Sequence, residues 1–204
     1  MAADNATEEQ AREQLNTGTK PVVESHRFDE GALAAWMKAN IPDFKGPMEV
    51  RQFKGGQSNP TYQLVTPDRK YVMRRKPPGK LLPSAHAVDR EFRVISALYP
   101  TGFPVARPYG LCTDEAVIGT IFYVMDMVEG RILWDQTLPA FAPAERHAIH
   151  MAALKTMADL HNTDYKAVGL ESFGRPGNYM SRQIDRWTKQ YKASRPSTSR
   201  ASSG

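Results

Sequence analysis

Apolar positions follow two different periods along this chain, and the switches between them mark its organisation. Up to about residue 23 the residues are polar with no sustained apolar repeat, and read as a flexible lead-in. From Asp29, a good N-cap, Leu33, Trp36, Met37 and Ile41 recur at helical spacing until Pro42 and Gly46-Pro47 close the segment. Alternation then takes over. "MEVRQF" (48–53), "TYQLVT" (61–66) and "KYVMRRK" (70–76) are rich in β-formers and separated by turn residues. They predict an antiparallel meander with a glycine loop between its first two strands. "KPPGKLLPS" (76–84) holds three prolines and a glycine and excludes regular structure. Helical spacing returns from about Ala85 to Tyr99, with Val88, Phe92, Ile95 and Leu98 on one face. "RPYGLCTDEAVIGTIFYVMDMVEG" (107–130) reads as two more strands joined near Asp114-Glu115, which brings the sheet to about five strands.

Beyond Gly130 the pattern is helical. Pro143 marks a helix start, and that helix runs to about His161. A last helix spans roughly 179–192 with Met180, Ile184, Trp187 and Tyr191 as its stripe. From Ser194, "SRPSTSRASSG" has no aliphatic residue larger than alanine and no period, and reads as disordered. The patterns predict an α+β chain: a flexible segment (1–23), a sheet lobe with a helix (24–130), the start of a helical lobe (131–193) and a tail (194–204).

Composition narrows the function classes. The 204 residues are 41% hydrophobic and 24% charged, as in globular proteins. A single cysteine, Cys112, excludes an internal disulfide framework and fits a reducing cytoplasm. No apolar run approaches the ~18 residues that span a bilayer. The best candidate, 116–128, is too short and contains Asp126. The first residues carry Asp4, Glu8, Glu9 and Glu13 and no apolar core, unlike a secretory signal. The net charge of +5 is misleading, because residues 175–204 hold seven basic residues against one acid and the rest is nearly neutral. A basic face on a folded module, which nucleic-acid binding requires, is therefore not expected, and neither is membrane binding.

Four stretches could carry chemistry. In "FKGGQSNPTYQL" (53–64), Gly55 and Gly56 would let the backbone approach a phosphate, with Gln57, Ser58 and Asn59 as polar donors; an ordinary hairpin turn has the same look. In "YVMRR", alternation sends Tyr71, Met73 and Arg75 one way and Val72 and Arg74 the other. Arg74 could bind a phosphate, or both arginines could be surface charges. Glu91 in "VDREFRVISAL" could pair with the strand cation, or sit on a solvated helix face. "FYVMDMVEGRIL" (122–133) passes from an apolar strand into Glu129-Gly130, where backbone groups could meet a purine edge, or a plain core strand could end.

The order of these stretches resembles the aminoglycoside phosphotransferase-like, or choline-kinase-like, superfamily of small-molecule kinases. "GGQSNPTYQL", "YVMRRKPPGKLLPSAHAVDREF", "FYVMDMVEGRIL" and "GLESFGRPGNYMSRQIDRWTKQY" carry the resemblance, and are most similar to the subgroup also found fused to acyl-CoA dehydrogenases. It covers about Phe28 to Lys192. It implies a protein-kinase-like fold, ATP with Mg²⁺ as phosphoryl donor, and a hydroxyl of a small acid or acyl thioester as acceptor. By position it implies that Gly55, Gly56, Gln57, Ser58 and Asn59 cover the phosphates. Arg74 then stands where the family usually has lysine, Glu91 is its partner, and Met125, Asp126, Met127, Val128 and Glu129 form the adenine hinge. Arginine keeps the charge and adds a planar fork.

The resemblance also implies a catalytic loop, His-Gly-Asp followed by an Asn, and a later metal-binding Asp. None of the five histidines begins such a motif, and no Asp-Phe-Gly occurs. No catalytic residue and no metal ligand can therefore be nominated. The expectation is a fragment of a phosphotransferase that ends before its catalytic loop through a frameshift, a truncated reading frame or a natural short form. The alternative is a non-catalytic nucleotide- or acyl-CoA-binding module.

Overall fold

The structure is a computed structural model and describes residues 16–55, 59–79, 86–174 and 177–194. Six strands make one antiparallel sheet: β1 (Thr19–Lys20), β2 (Glu49–Phe53), β3 (Thr61–Val65), β4 (Lys70–Arg75), β5 (Pro108–Cys112) and β6 (Phe122–Asp126). Their spatial order is β1-β2-β3-β4-β6-β5. The sheet has one strand more than the apolar pattern predicts. β1 is only two residues long, too short to show alternation, and is made a strand by pairing Thr19 with Phe53 and Lys20 with Gln52.

Strand register sorts the side chains into two faces. Tyr62 lies opposite Met73, and Met73 opposite Val124. With Leu64, Tyr71 and Phe122 they form one apolar face, which is buried. Helix α1 (Glu30–Asn40) covers it with Leu33 and Met37, both fully buried. Asp29 starts α1 as expected: its Oδ1 accepts from the Ala32 N–H at 2.8 Å. Trp36 packs edge-on against Phe122, with ring centroids 4.8 Å apart. The same indole explains Gly110, which sits where the β5–β6 register shifts: a Cβ there would lie 3.1 Å from the Trp36 ring.

Arg75 departs from the reading of Arg74 and Arg75 as a surface pair. It shares the apolar face and is 2% exposed. Its guanidinium donates to the His26 carbonyl oxygen at 2.9 Å and lies 5.0 Å from the Phe28 ring centre and 5.5 Å from that of Tyr62. Tyr62 Oη donates to the same carbonyl at 3.1 Å, and Gln52 Oε1 accepts from the Val23 N–H at 3.2 Å. Polar side chains of β2, β3 and β4 thus fasten residues 23–28 to the sheet.

The opposite face carries Thr61, Arg74 and Tyr123, which lie side by side across β3, β4 and β6. Helix α2 (Val88–Leu98) packs there, buries Val88 and Leu98, and sets Phe92 5.8 Å from Tyr123. Helix α3 (Pro143–His161) begins at the predicted proline. Glu145 accepts from the Ala142 N–H at 3.0 Å, which is the half of a capping box that an alanine N-cap still allows. α3 buries no residue, and Met151, Leu154, Met157 and Leu160 are exposed.

The chain divides after Asp164 into two compact units. In the second, turns at 165–173 precede helix α4 (Tyr179–Ser194), whose Met180, Ile184, Trp187 and Tyr191 are exposed. Among the described residues no helix is long and apolar enough to cross a membrane.

Candidate functional site

One carboxylate organises the polar face of the sheet. Glu91 projects from the first turn of α2. Arg74 grips it at two points, Nε to Oε2 at 2.9 Å and an Nη2–H to Oε1 at 3.3 Å. Asn59 Nδ2 donates to Oε1 at 3.0 Å, and Tyr123 Oη to Oε2 at 3.0 Å. Arg74 Nη1 donates to Thr61 Oγ1 at 3.3 Å, and that hydroxyl donates to the Asn59 carbonyl oxygen at 3.0 Å. The imidazole Nδ1 of His86 lies 2.9 Å from Asn59 Oδ1.

Burial differs within the cluster. Asn59 and Tyr123 are buried, whereas the Arg74 and Glu91 side chains are 29% and 37% exposed. Burial, and next the charge of Glu91, push the Tyr123 hydroxyl well above its ordinary pKa, so it remains a neutral donor. A guanidinium has five N–H donors. Among the described residues three of those on Arg74 are used by Glu91 and Thr61, which leaves two on a partly exposed cation whose direction is fixed. Such a group suits a bidentate oxyanion.

Of the residues nominated from sequence, the structure brings Asn59, Arg74 and Glu91 into this cluster. Gly55 follows β2, where a Cβ would lie 3.2 Å from the Asn16 carbonyl oxygen. Gly56, Gln57 and Ser58 lie outside the described residues. The nominated hinge leaves the sheet at the end of β6. Met125 lies opposite Val72 and so shares the Arg74 face. Asp126 is on the other face, where Oδ1 accepts from Tyr109 Oη at 2.6 Å, so its carboxylate does not join the cluster. The Met127 N–H donates to the Lys70 carbonyl oxygen at 3.3 Å. Val128 is exposed, and Glu129 pairs with Lys70 Nζ at 2.7 Å, which draws its carboxyl below the usual range. Beyond the hinge, residues 130–135 and 138–141 with Thr17 line a hollow of about 390 Å³ that contains none of the cluster.

Sequence reading missed Thr61, Tyr123 and His86. Thr61 and Tyr123 become visible once the strands are aligned on Arg74. His86 has no pattern of its own. Among the described residues no group of three or more His, Cys, Asp or Glu could hold a metal ion.

Residues 49–200 match the model of the phosphotransferase enzyme family. The chain is 51% identical over 181 residues to the probable acyl-CoA dehydrogenase IBR3 of Arabidopsis thaliana, covering 85% of this chain and 22% of that protein. It is 45% identical over 176 residues to human acyl-CoA dehydrogenase family member 11, covering 84% of this chain and 23% of the relative. The crystal structure of a presumed aminoglycoside phosphotransferase from Ralstonia eutropha JMP134 superposes with a TM-score of 0.70 at 54% identity, over 82% of this chain and 48% of that one. The chain thus spans under a quarter of these two curated relatives and about half of the solved structure. Its antiparallel sheet and these matches lead to one assignment: the chain belongs to the phosphotransferase enzyme family.

Proposed function

We propose that this chain is the nucleotide-holding part of an ATP-dependent small-molecule phosphotransferase. The supporting observation is Arg74, a partly exposed cation oriented by Glu91, with two guanidinium donors left for an anion. In this reading Arg74 contacts a phosphate of ATP, and Glu91, Asn59, Thr61 and Tyr123 hold it in place. Gly55, Gly56, Gln57 and Ser58 form the loop over the phosphates. The backbone from Met125 to Glu129 meets the adenine edge where the chain leaves β6. The sheet lobe is 24–130, and the helical segment 131–193 begins the acceptor side. Mg²⁺ accompanies ATP in this reading. The acceptor is a hydroxyl of a small acid or acyl thioester, a choice supported by the acyl-CoA named in the relatives. The setting is the cytoplasm.

Because the chain contains no His-Gly-Asp, the expectation for these 204 residues is nucleotide binding without turnover. Calorimetric titration with ATP tests the first half and a coupled ADP-release assay the second. Arg74→Ala removes charge-assisted hydrogen bonds, so ATP affinity should fall by about 10- to 100-fold. Unchanged affinity in Arg74→Ala would remove the basis of the proposal. Tighter binding of coenzyme A than of ATP would favour an acyl-CoA-binding module instead.

A further inference from the structure

His86 sits two residues before α2 in a left-handed backbone conformation, φ 57°. Few residue types accept that conformation without strain, and such residues gather at functional positions. Its side chain contacts the cluster at one atom, with Nδ1 2.9 Å from Asn59 Oδ1.

The protonation of that nitrogen follows from the neighbours. An ionised carboxylate only accepts, so the Asn59 group facing Glu91 must be the amide NH₂. Asn59 Oδ1 is then turned toward His86, and an oxygen acceptor requires a proton on Nδ1. The neutral ring is therefore the Nδ1–H tautomer, and the cationic ring carries the same proton. Without that donor Asn59 Oδ1, on a buried residue, loses the bond that holds it, and the amide is fixed at its Nδ2 end alone. The Asn59 bond to Glu91 then loosens, and with it the two-point grip of Glu91 on Arg74.

We propose that His86 is a positioning residue of this site: its Nδ1–H fixes the orientation of the Asn59 amide, which steadies Glu91 and, through it, the phosphate-facing donors of Arg74. The proposal rests on the nucleotide reading for its consequence, though not for its geometry.

Two variants separate side chain from backbone. His86→Gly removes the ring and accepts positive φ freely. His86→Asn also tolerates positive φ and places an amide N–H near the position of Nδ1. In the wild-type chain, ¹⁵N NMR of the histidine ring should show a protonated Nδ1 at His86, and the Asn59 side-chain amide should be well dispersed. ATP affinity should fall about tenfold in His86→Gly and return most of the way in His86→Asn. A bare Nδ1 with the proton on Nε2 would overturn the proposal. So would equal ATP affinity in wild type and His86→Gly, or equal weakness in both variants. If the wild type binds no ATP, the nucleotide reading fails separately, and the NMR decides the positioning role. Collapse of the Asn59 amide signals to random-coil positions in His86→Gly alone would uphold it, and unchanged signals would end it.

Discussion

Among the described residues Arg75 is a buried cation without a carboxylate beside it, and replacing it by methionine should not harm the fold. The guanidinium is supported by one carbonyl oxygen, that of His26 at 2.9 Å, and by the faces of Phe28 and Tyr62. A hydrogen bond from a charged donor contributes about 1.5–3 kcal/mol, and two ring contacts of this kind about 1–2 kcal/mol each. Against them stand the effective cost of removing the charge from water, several kcal/mol, and the buried Nε, which has no hydrogen-bond partner. An unsatisfied buried donor costs about 1–3 kcal/mol. Methionine has similar length, follows irregular space and needs no partner. The His26 carbonyl keeps its bond from Tyr62 Oη. The two sides nearly cancel, so Arg75→Met should leave stability within about 1 kcal/mol of wild type or raise it. Arg75→Ala should cost about 2–5 kcal/mol, because it also opens a cavity. Urea unfolding followed by circular dichroism reads both. A loss above about 2 kcal/mol in Arg75→Met would refute the reasoning, since the polar contacts would then outweigh the cost of desolvation.

Further outcomes follow from individual contacts. Gly110→Ala places a methyl 3.1 Å from a Trp36 ring already held against Phe122, so melting should show a loss of about 1–3 kcal/mol; an unchanged melting temperature would mean the indole moves freely. Tyr62, Tyr71, Tyr109 and Tyr123 all hold their protons above the ordinary tyrosine pKa, with burial the first cause in each. The unfolded chain loses these protons near pH 10 while the folded chain keeps them, so this stability is complete below about pH 10 and declines as pH rises above it. Tyrosinate absorbance for these four should appear together with loss of circular dichroism, and early ionisation of the folded chain would contradict that. Cys112 is buried with its thiol pushed up by burial, so alkylation by iodoacetamide should require unfolding; rapid labelling of the native chain would count against the packing. The apolar residues exposed on α3 and α4 should bind a hydrophobic dye, and the dye signal should fall when Met151, Leu154, Met157 and Leu160 are changed to polar residues.

Most of the fold is legible in the sequence because it rests on period and punctuation. Alternation locates β2, β3 and β4 within a residue or so, Asp29 and Pro143 mark helix starts, and the split of Arg74 from Arg75 follows from the pleat alone. β1 is not legible, because two residues cannot express a period. The candidate site is legible only where both partners of a contact carry chemistry on their own account. Arg74 and Glu91 do, since each is a charged residue on an amphipathic element. Tyr123 looks like any core aromatic, and Thr61 like any β-former.

β4 illustrates why the remainder needs coordinates. Two adjacent arginines differ in nothing that sequence displays except parity. One meets Glu91, Thr61 and a half-open face, and keeps donors to spare. The other meets a carbonyl oxygen and two aromatic rings in a closed core. The difference comes from α1 and residues 23–28 on one side and α2 on the other, so it depends on contacts between segments far apart in the chain. The same holds for His86, whose role depends on which way the Asn59 amide points, and that in turn depends on Glu91. Substitutions on β4 should therefore separate cleanly by face. Arg74→Ala should alter ligand affinity with little change in melting, and Arg75→Ala should alter melting with little change in affinity. If both positions moved both quantities equally, the two faces would be coupled through β4, and assigning one arginine to the site and the other to the core would be wrong.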